Sequence, residues 1–379
     1  MTLPPVNETL SELVRINSVN TAYDDGPGEG DLALWIERFF ARHGIATTRQ
    51  EVFPGRFNVL ARIPGRQRGH CLVLEAHMDT VSVKGMTIPP FDPVIENGRL
   101  MGRGSCDTKA GLAAMMHAVV DVHQGDTPPP CDILLAAVVD EEHNFRGVVR
   151  LCDDLKADAA VVAEPTELRA VVASKGVLRW KVRVRGKAAH SSKPRLGVNA
   201  IRHMARVILA LEEHYEALAH KTHPLLGPAT CTISTIRGGV QINFVPDHCV
   251  IELDRRLLPG ETPEAVLSDC QAVIDSLPGI DASVEQPPLL TDAALDTPPN
   301  ARITTTTSQV LAELNLNPEP CGVPFGSDAS KFSRAGVPAI IFGPGSIDRA
   351  HAADEYVEID QVITALDFYR LLVLSFDPS

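Results

Sequence analysis

Apolar positions in this chain follow two rhythms. Residues 31–43 (DLALWIERFFARH) repeat at helical spacing, with Asp31 as the expected N-cap and Gly44 just past the end. Short continuous apolar runs follow at 71–76 (CLVLEA), 133–139 (ILLAAVV) and 159–163 (AAVVA), and 109–122 (KAGLAAMMHAVVDV) reads as a helix between two of them. Strands that are apolar throughout and separated by helices imply a mostly parallel sheet covered on both faces.

The rhythm changes near residue 175. Residues 177–185 (VLRWKVRVR) alternate apolar and charged, as a half-buried strand does. A long helical pattern over 198–220 follows, then strands at 230–236 and 249–255, a helix at 262–276 opened by Thr262 and Pro263, and a strand at 281–285. The order β-α-β-β-α-β is that of a ferredoxin-like sandwich. Helices at 301–313 and 328–335 and the apolar run 338–342 then restore the first style, and the Pro-rich 286–299 marks the return. The expected fold is α/β: a mixed, mostly parallel sheet with helices on both faces, formed by residues 1–174 and 289–379, carrying an inserted ferredoxin-like α+β domain over 175–288.

Composition narrows the function classes. At 379 residues the chain is long enough for two domains. A net charge of −13 argues against a general nucleic-acid binder. No apolar stretch is long enough to span a membrane and the N-terminus lacks a secretory leader, so a cytoplasmic enzyme with no membrane partner is expected. Eight scattered cysteines without a CxxC pair point to reduced thiols rather than a disulfide framework or zinc finger.

In open parallel sheets the functional groups gather at the carboxyl ends of the strands. Strand 71–76 ends in His77 and Asp79; 133–139 ends in Asp140, Glu141 and Glu142; 159–163 ends in Glu164; and 338–342 leads through a short loop to His351. Asp107 directly precedes the 109–122 helix, where an ordinary N-cap is the alternative to a ligand. Imidazoles and carboxylates converging without thiolates suit zinc, or cobalt or manganese in its place, and a bridging carboxylate would allow two ions.

The ordered motifs HMDTV (77–81), GRGSCDTKAG (102–111), DEE (140–142), AEPT (163–166) and HAADEYV (351–357) resemble the co-catalytic zinc hydrolase family that includes acetylornithine deacetylase, succinyl-diaminopimelate desuccinylase, aminoacylase and glutamate carboxypeptidase. The resemblance implies two Zn2+ per subunit: His77 and Glu164 on one, His351 and Glu142 on the other, and Asp107 bridging. It implies Asp79 as the partner of the far nitrogen of His77, and Glu141 as the general base that passes a proton from water to the leaving amine. It also implies a homodimer through the insert, with His190 reaching the partner's active site, and Asn243 and Arg256 as holders of the substrate carboxylate. Arg255 would exchange places with Arg256 under a one-residue register slip, and Gly326 lies in a loop resembling a substrate-lining segment. Cys106, beside Asp107, is expected to be packed and unreactive.

The expected activity is removal of the acyl group from an N-acyl amino acid, with N-acetylornithine as the leading substrate because ASKGVLRW (173–180) and FGPGSIDRAHAADEY (342–356) most resemble acetylornithine deacetylase. The alternatives are a zinc carboxypeptidase or dipeptidase, or a succinyl-diaminopimelate desuccinylase, using the same site.

Overall fold

In the computed structural model, which describes residues 3–379, strand Gln67–His77 lies at the centre of the larger sheet. Its hydrogen-bonded neighbours are Cys131–Val138 and Ala159–Val162, both parallel to it, and Ala339–Ile341 continues the parallel run beside Ala159–Val162. The margins are antiparallel: the hairpin Thr47–Phe53 and Arg56–Ile63 adds beyond Cys131–Val138, and Val171–Ser174 pairs with Ala339–Ile341. The strands with the most apolar sequences are the parallel ones, as burial on both faces requires.

Alternate residues of the central strand serve different layers. Leu72, Leu74 and Ala76 join the main core with the helix Lys109–Gln124. That helix is buried over almost its whole length, because Val6–Arg15 and Ile359–Ser375 pack on it. Val73 and Glu75 point the other way, towards the side where Ala329–Arg334 and Arg146–Cys152 contact one another. Helices therefore cover both faces of the sheet, as the sequence implies.

Chain contacts divide the protein into two units, one running to Val172 and resuming as Thr297–Cys321 and Ser327–Ser379, the other comprising Ala173–Asp296 and Gly322–Gly326. The return falls later than the expected residue 289 because 286–299 is not a free linker: Leu290–Asp292 pairs antiparallel with Gly176–Arg185.

The second unit is an antiparallel sheet in the order Thr230–Gly238, His248–Leu257, Gly176–Arg185, Asp281–Val284, the strand order of a ferredoxin-like sandwich. Trp180, Val182 and Val184 pack with Ile251 and Leu253 under the helices Ala200–Ala217 and Pro263–Asp275. Each helix is capped from its side chain: Asn199 accepts from the Arg202 amide, and Thr262 from the Ala265 amide. The helix at 30–42 differs from expectation here. It starts at Gly30 after Glu29 without a side-chain cap, and Asp31 sits inside the first turn.

Candidate metal centre and catalytic site

Asp107 lies between the two histidines. Its Oδ1 is 3.1 Å from His77 Nε2, and its Oδ2 is 3.2 Å from His351 Nε2. Thr108, not Asp107, occupies the N-cap of the following helix, so capping does not explain this carboxylate. The ligand atoms of His77, Asp107 and Glu164 approach within 4.8 Å of one another, and so do those of Asp107, Glu142 and His351. The two groups share only Asp107. Six donor positions from five side chains, all imidazole nitrogen or carboxylate oxygen, match the ligand chemistry of a pair of divalent ions.

The electrostatics of the cluster show what it lacks. Burial would raise the Asp107 carboxyl, but hydrogen bonds from His351 and His77 hold it below the usual carboxylate range. Burial first, then the neighbouring Asp107, pushes Glu164 and Glu142 up. His351 is driven up to about 10 by its hydrogen bonds to Asp107 and Glu142. For His77 burial acts downwards, yet Asp107 and Glu141 overcome it. Two carboxyls pushed up around a third held down between two raised imidazoles describe acceptors whose negative charges crowd one another. Divalent ions would offset that crowding.

The orientation of His77 comes from its own turn. Nδ1 lies 2.9 Å from the backbone carbonyl of Asp79, while the Asp79 carboxylate stands 3.8 Å away. The expected side-chain contact is thus corrected to a main-chain one. A carbonyl only accepts, so Nδ1 carries the proton and Nε2 offers its lone pair towards Asp107 when the ring is neutral. The Asp79 carboxylate has another task. It accepts from the amides of Glu141 at 3.1 Å and Glu142 at 3.0 Å, and from Asn20 Nδ2 at 2.7 Å. Asp79 therefore joins the turn that orients His77 to the turn that carries both glutamates.

Glu141 belongs to neither ligand group, and burial pushes its carboxyl well up, with His77 opposing and Glu164 adding to the rise. A half-buried carboxylate beside the ligands but outside their set has the position that a general base would need. The turn that holds it begins at Asp140 and ends at Phe145, both with positive φ, and the Asn144 and Phe145 amides return to the Asp140 carbonyl. Lys331 Nζ lies 3.3 Å from the centroid of the Phe145 ring, which steadies the far end.

Several supporting residues were not singled out in the sequence. Glu355 accepts from the Cys106 amide at 2.9 Å and the Asp107 amide at 3.1 Å, and its other oxygen pairs with Arg103 at 2.6 Å. It fixes the backbone that presents the shared carboxylate. Glu75 and Asp328 are fully buried; burial and then their mutual repulsion push Glu75 well up, while burial drives Asp328 to about 7 against Lys331 and His77. Tyr23 is half-buried, and its hydroxyl is raised first by burial and then by Glu142, Asp79 and Glu141. Only Glu355 left a readable signal, inside HAADEYV; the rest depend on turns and crossings that no local pattern encodes. Cys106 is buried as expected, and burial holds its thiol well above the ordinary value. A Cβ added at Gly345 would stand 2.5 Å from its sulfur.

His190, Asn243, Arg256 and Gly326 belong to the second unit and form no part of this cluster. His190 is exposed on a two-residue strand paired with Phe244–Val245, and the Asn243 carbonyl accepts from the Ser191 amide at 2.9 Å, so the structure brings His190 and Asn243 close. The Ser192 amide donates to His190 Nδ1 at 3.2 Å, which leaves Nε2 as the protonated nitrogen. The structure separates the two arginines. Arg255 is buried with its guanidinium 2.5 Å from Glu261 and over the Tyr215 ring, whereas Arg256 lies on the opposite strand face, a third exposed, with Nε 3.0 Å from Asp254. A Cβ added at Gly326 would stand 2.7 Å from Asp292 Oδ2, so that carboxylate would have to shift to admit a side chain.

With this geometry established, comparison with known proteins gives one consistent result. The model of peptidase family M20/M25/M40 matches residues 73–375. Acetylornithine deacetylase from Myxococcus xanthus is 30% identical, covering 96% of this chain and 95% of that protein. N-formyl-4-amino-5-aminomethyl-2-methylpyrimidine deformylase from Bacillus subtilis is 26% identical over 98% of this chain and 95% of its own length. Among solved structures, the aminopeptidase PepT from Bacillus cereus superposes with a TM-score of 0.82 over 98% of both chains at 21% identity.

Proposed function

We propose that this chain, which belongs to peptidase family M20/M25/M40 and is a metal-dependent hydrolase of amide bonds, removes the acyl group from N-acyl amino acids, with N-acetylornithine as the first substrate to try. The observation that carries the reading is Asp107 with one oxygen towards each histidine and Glu141 standing outside both ligand groups. His77 and Glu164 would hold one Zn2+, His351 and Glu142 the other, with Asp107 shared; Co2+ or Mn2+ are substitutes with similar ligand preferences. Bound there, such ions lower the pKa of water and polarise the carbonyl under attack.

The chain's own groups perform the remaining steps. Glu141 takes the proton from the attacking water and returns it to the amine as the amide bond breaks. Asp79 keeps Glu141 in place through its amide, which separates positioning from proton transfer. Protonated at Nε2, His190 suits the role of donor to the oxyanion. Arg256 and Asn243 would engage the substrate carboxylate and Gly326 would line the substrate's path; the guanidinium fork of Arg256, a third exposed, is suited to such a group.

A homodimer through the inserted unit fits its surface. Thr230–Gly238 is an edge strand of that unit, and Ile236, Val240 and Ile242 are exposed on or just beyond it. In such a dimer His190 would serve the partner's site. Eight free cysteines accord with a cytoplasmic enzyme, and among the described residues no helix is long and apolar enough to cross a membrane.

The test is metal analysis together with a panel of N-acetylornithine, succinyl-diaminopimelate, N-acyl aromatic amino acids and dipeptides. Preferential turnover of N-acetylornithine supports the leading substrate. Rapid dipeptide cleavage without deacetylation moves the assignment to the peptidase alternative, and preferential desuccinylation moves it to the other.

A further inference from the structure

The turn from Asp140 to Phe145 presents two different sides. Glu141 and Glu142 belong to the candidate catalytic cluster, and their amides are bound by Asp79. The next two residues, His143 and Asn144, line a cavity of about 490 Å3 that none of the candidate ligands or Glu141 borders. Cavities of this size accommodate small organic molecules. One turn thus separates a catalytic site from a second concave site.

The cavity is lined by three arginines and an imidazole, by the carboxylates of Asp140 and Asp153, and by several apolar side chains. Arg56 is already committed, pairing with Glu29 at 2.7 Å and Asp140 at 3.3 Å. Arg150 makes only long, solvent-exposed pairs with Asp153 at 3.5 Å and Asp154 at 3.8 Å. Arg146 has no carboxylate within ion-pair distance among the described residues, and its head and His143 are both exposed. Val52, Phe53 and Val149 supply the apolar lining, Val149 on the helix that carries Arg146 and Arg150, and Phe53 with the Arg56 guanidinium 4.8 Å over its ring. In a chain of net charge −13, three guanidiniums and an imidazole against two carboxylates make this lining a local reversal of the general surface.

We propose that this cavity binds an organic monocarboxylate with a short apolar chain, its head at Arg146 and His143 and its tail against Val52, Phe53 and Val149, and that occupancy changes turnover through the shared turn. Guanidinium favours a carboxylate through its paired donors, and the apolar lining distinguishes such an acid from a bare inorganic anion. The route to the catalytic side is short. Asp140 lines the cavity, directly precedes Glu141, and its carbonyl receives the Asn144 and Phe145 amides at 3.2 and 2.7 Å, so a shift of the turn on the cavity side would be passed to Glu141. The choice of a carboxylate rests on the deacylase reading, since cleavage of an acyl amide releases a monocarboxylate, and the longer chain rests on the apolar lining.

Butyrate is the probe, with acetate and inorganic phosphate alongside, titrated into the metal-loaded full-length protein by calorimetry and into the activity assay. The expected results are millimolar butyrate binding, weaker acetate binding, and a mixed pattern of inhibition. Arg146→Glu, and more mildly Arg146→Gln, should weaken butyrate binding at least about tenfold while unfolding temperature and basal kcat stay near those of the wild type. Butyrate binding that is unchanged in both variants, or purely competitive with substrate, overturns the proposal by locating the acid at the catalytic centre. Arg146-dependent binding of phosphate as tight as that of butyrate overturns the carboxylate assignment. Calorimetry needs no substrate, so the cavity can fail while deacylation holds, and deacylation can fail while Arg146-dependent binding holds.

Discussion

The two histidines that flank Asp107 sit in opposite surroundings. His77 is 2% exposed, ends the central strand and is held through Nδ1 by a carbonyl of its own turn. The side chain of His351 is 52% exposed, in a short loop where its backbone has φ of 60°. Glu164 ends a sheet strand beside His77, and Glu142, on the Asp140 turn and with its side chain only 8% exposed, stands beside His351. The buried half is therefore built into the sheet, while the open half depends on loops. A pair of ions bound here would be equal in ligand chemistry and unequal in access.

Glu141, the proposed base, belongs to neither half, and its removal gives the largest effect expected. Glu141→Ala should lower kcat by about 10²–10⁴-fold while both ions remain bound; turnover near that of the wild type, or loss of an ion on metal analysis, removes Glu141 from the role of base. A smaller loss is expected from the buried half. Asp79→Asn should retain the His77 contact, which is to the backbone, but weaken the hold on the Glu141 turn, lowering kcat by roughly 10–100-fold with metal content little changed. Metal loss as complete as in His77→Ala would show that the Asp79 carboxylate supports the ion instead.

Access is tested by chelation. Dipicolinate added to the metal-loaded protein should remove ions in two kinetic phases, the faster lost from the open half, and His351→Ala should abolish that phase alone. A single phase with both ions released together would erase the distinction between the halves. The smallest effect concerns pH. In the metal-free protein His351 is raised from its usual 6.5 to about 10, so its contribution to stability is fully present below about 6.5 and is lost as pH rises towards 10. Urea unfolding across that range should show stability falling with pH, less steeply in His351→Gln. An unchanged slope in the variant would assign the loss to other groups.

Much of the sheet was legible because its parallel strands are apolar on both faces, and the polar residue that ends each run is where the centre forms. The helix Val6–Arg15 also carries a helical repeat at Val6, Leu10, Leu13 and Val14, but it starts after Pro5 without the side-chain cap that would mark its beginning. The hairpin Thr47–Ile63 was harder to read, since its outer strand is largely exposed and lacks an apolar stripe. At the centre, the motifs located the donors but not their supports. HMDTV contains His77 and Asp79, and nothing in its letters says that the carbonyl of one residue and the carboxylate of the same residue face different partners. Likewise two adjacent arginines read alike in sequence. Strand alternation buried Arg255 against Glu261 and left Arg256 on the other face.

Cys106 and Gly345 leave a constraint of a different kind. Gly345 has φ of 90°, so a side chain there is strained whatever its neighbours, and the thiol already fills the space in which a Cβ would stand. In a library of variants, position 345 should tolerate almost nothing, and position 106 should accept residues up to about the volume of cysteine and reject larger ones. The chain's capacity to vary beside its shared carboxylate is thus limited by size, in a pocket with no part in the chemistry.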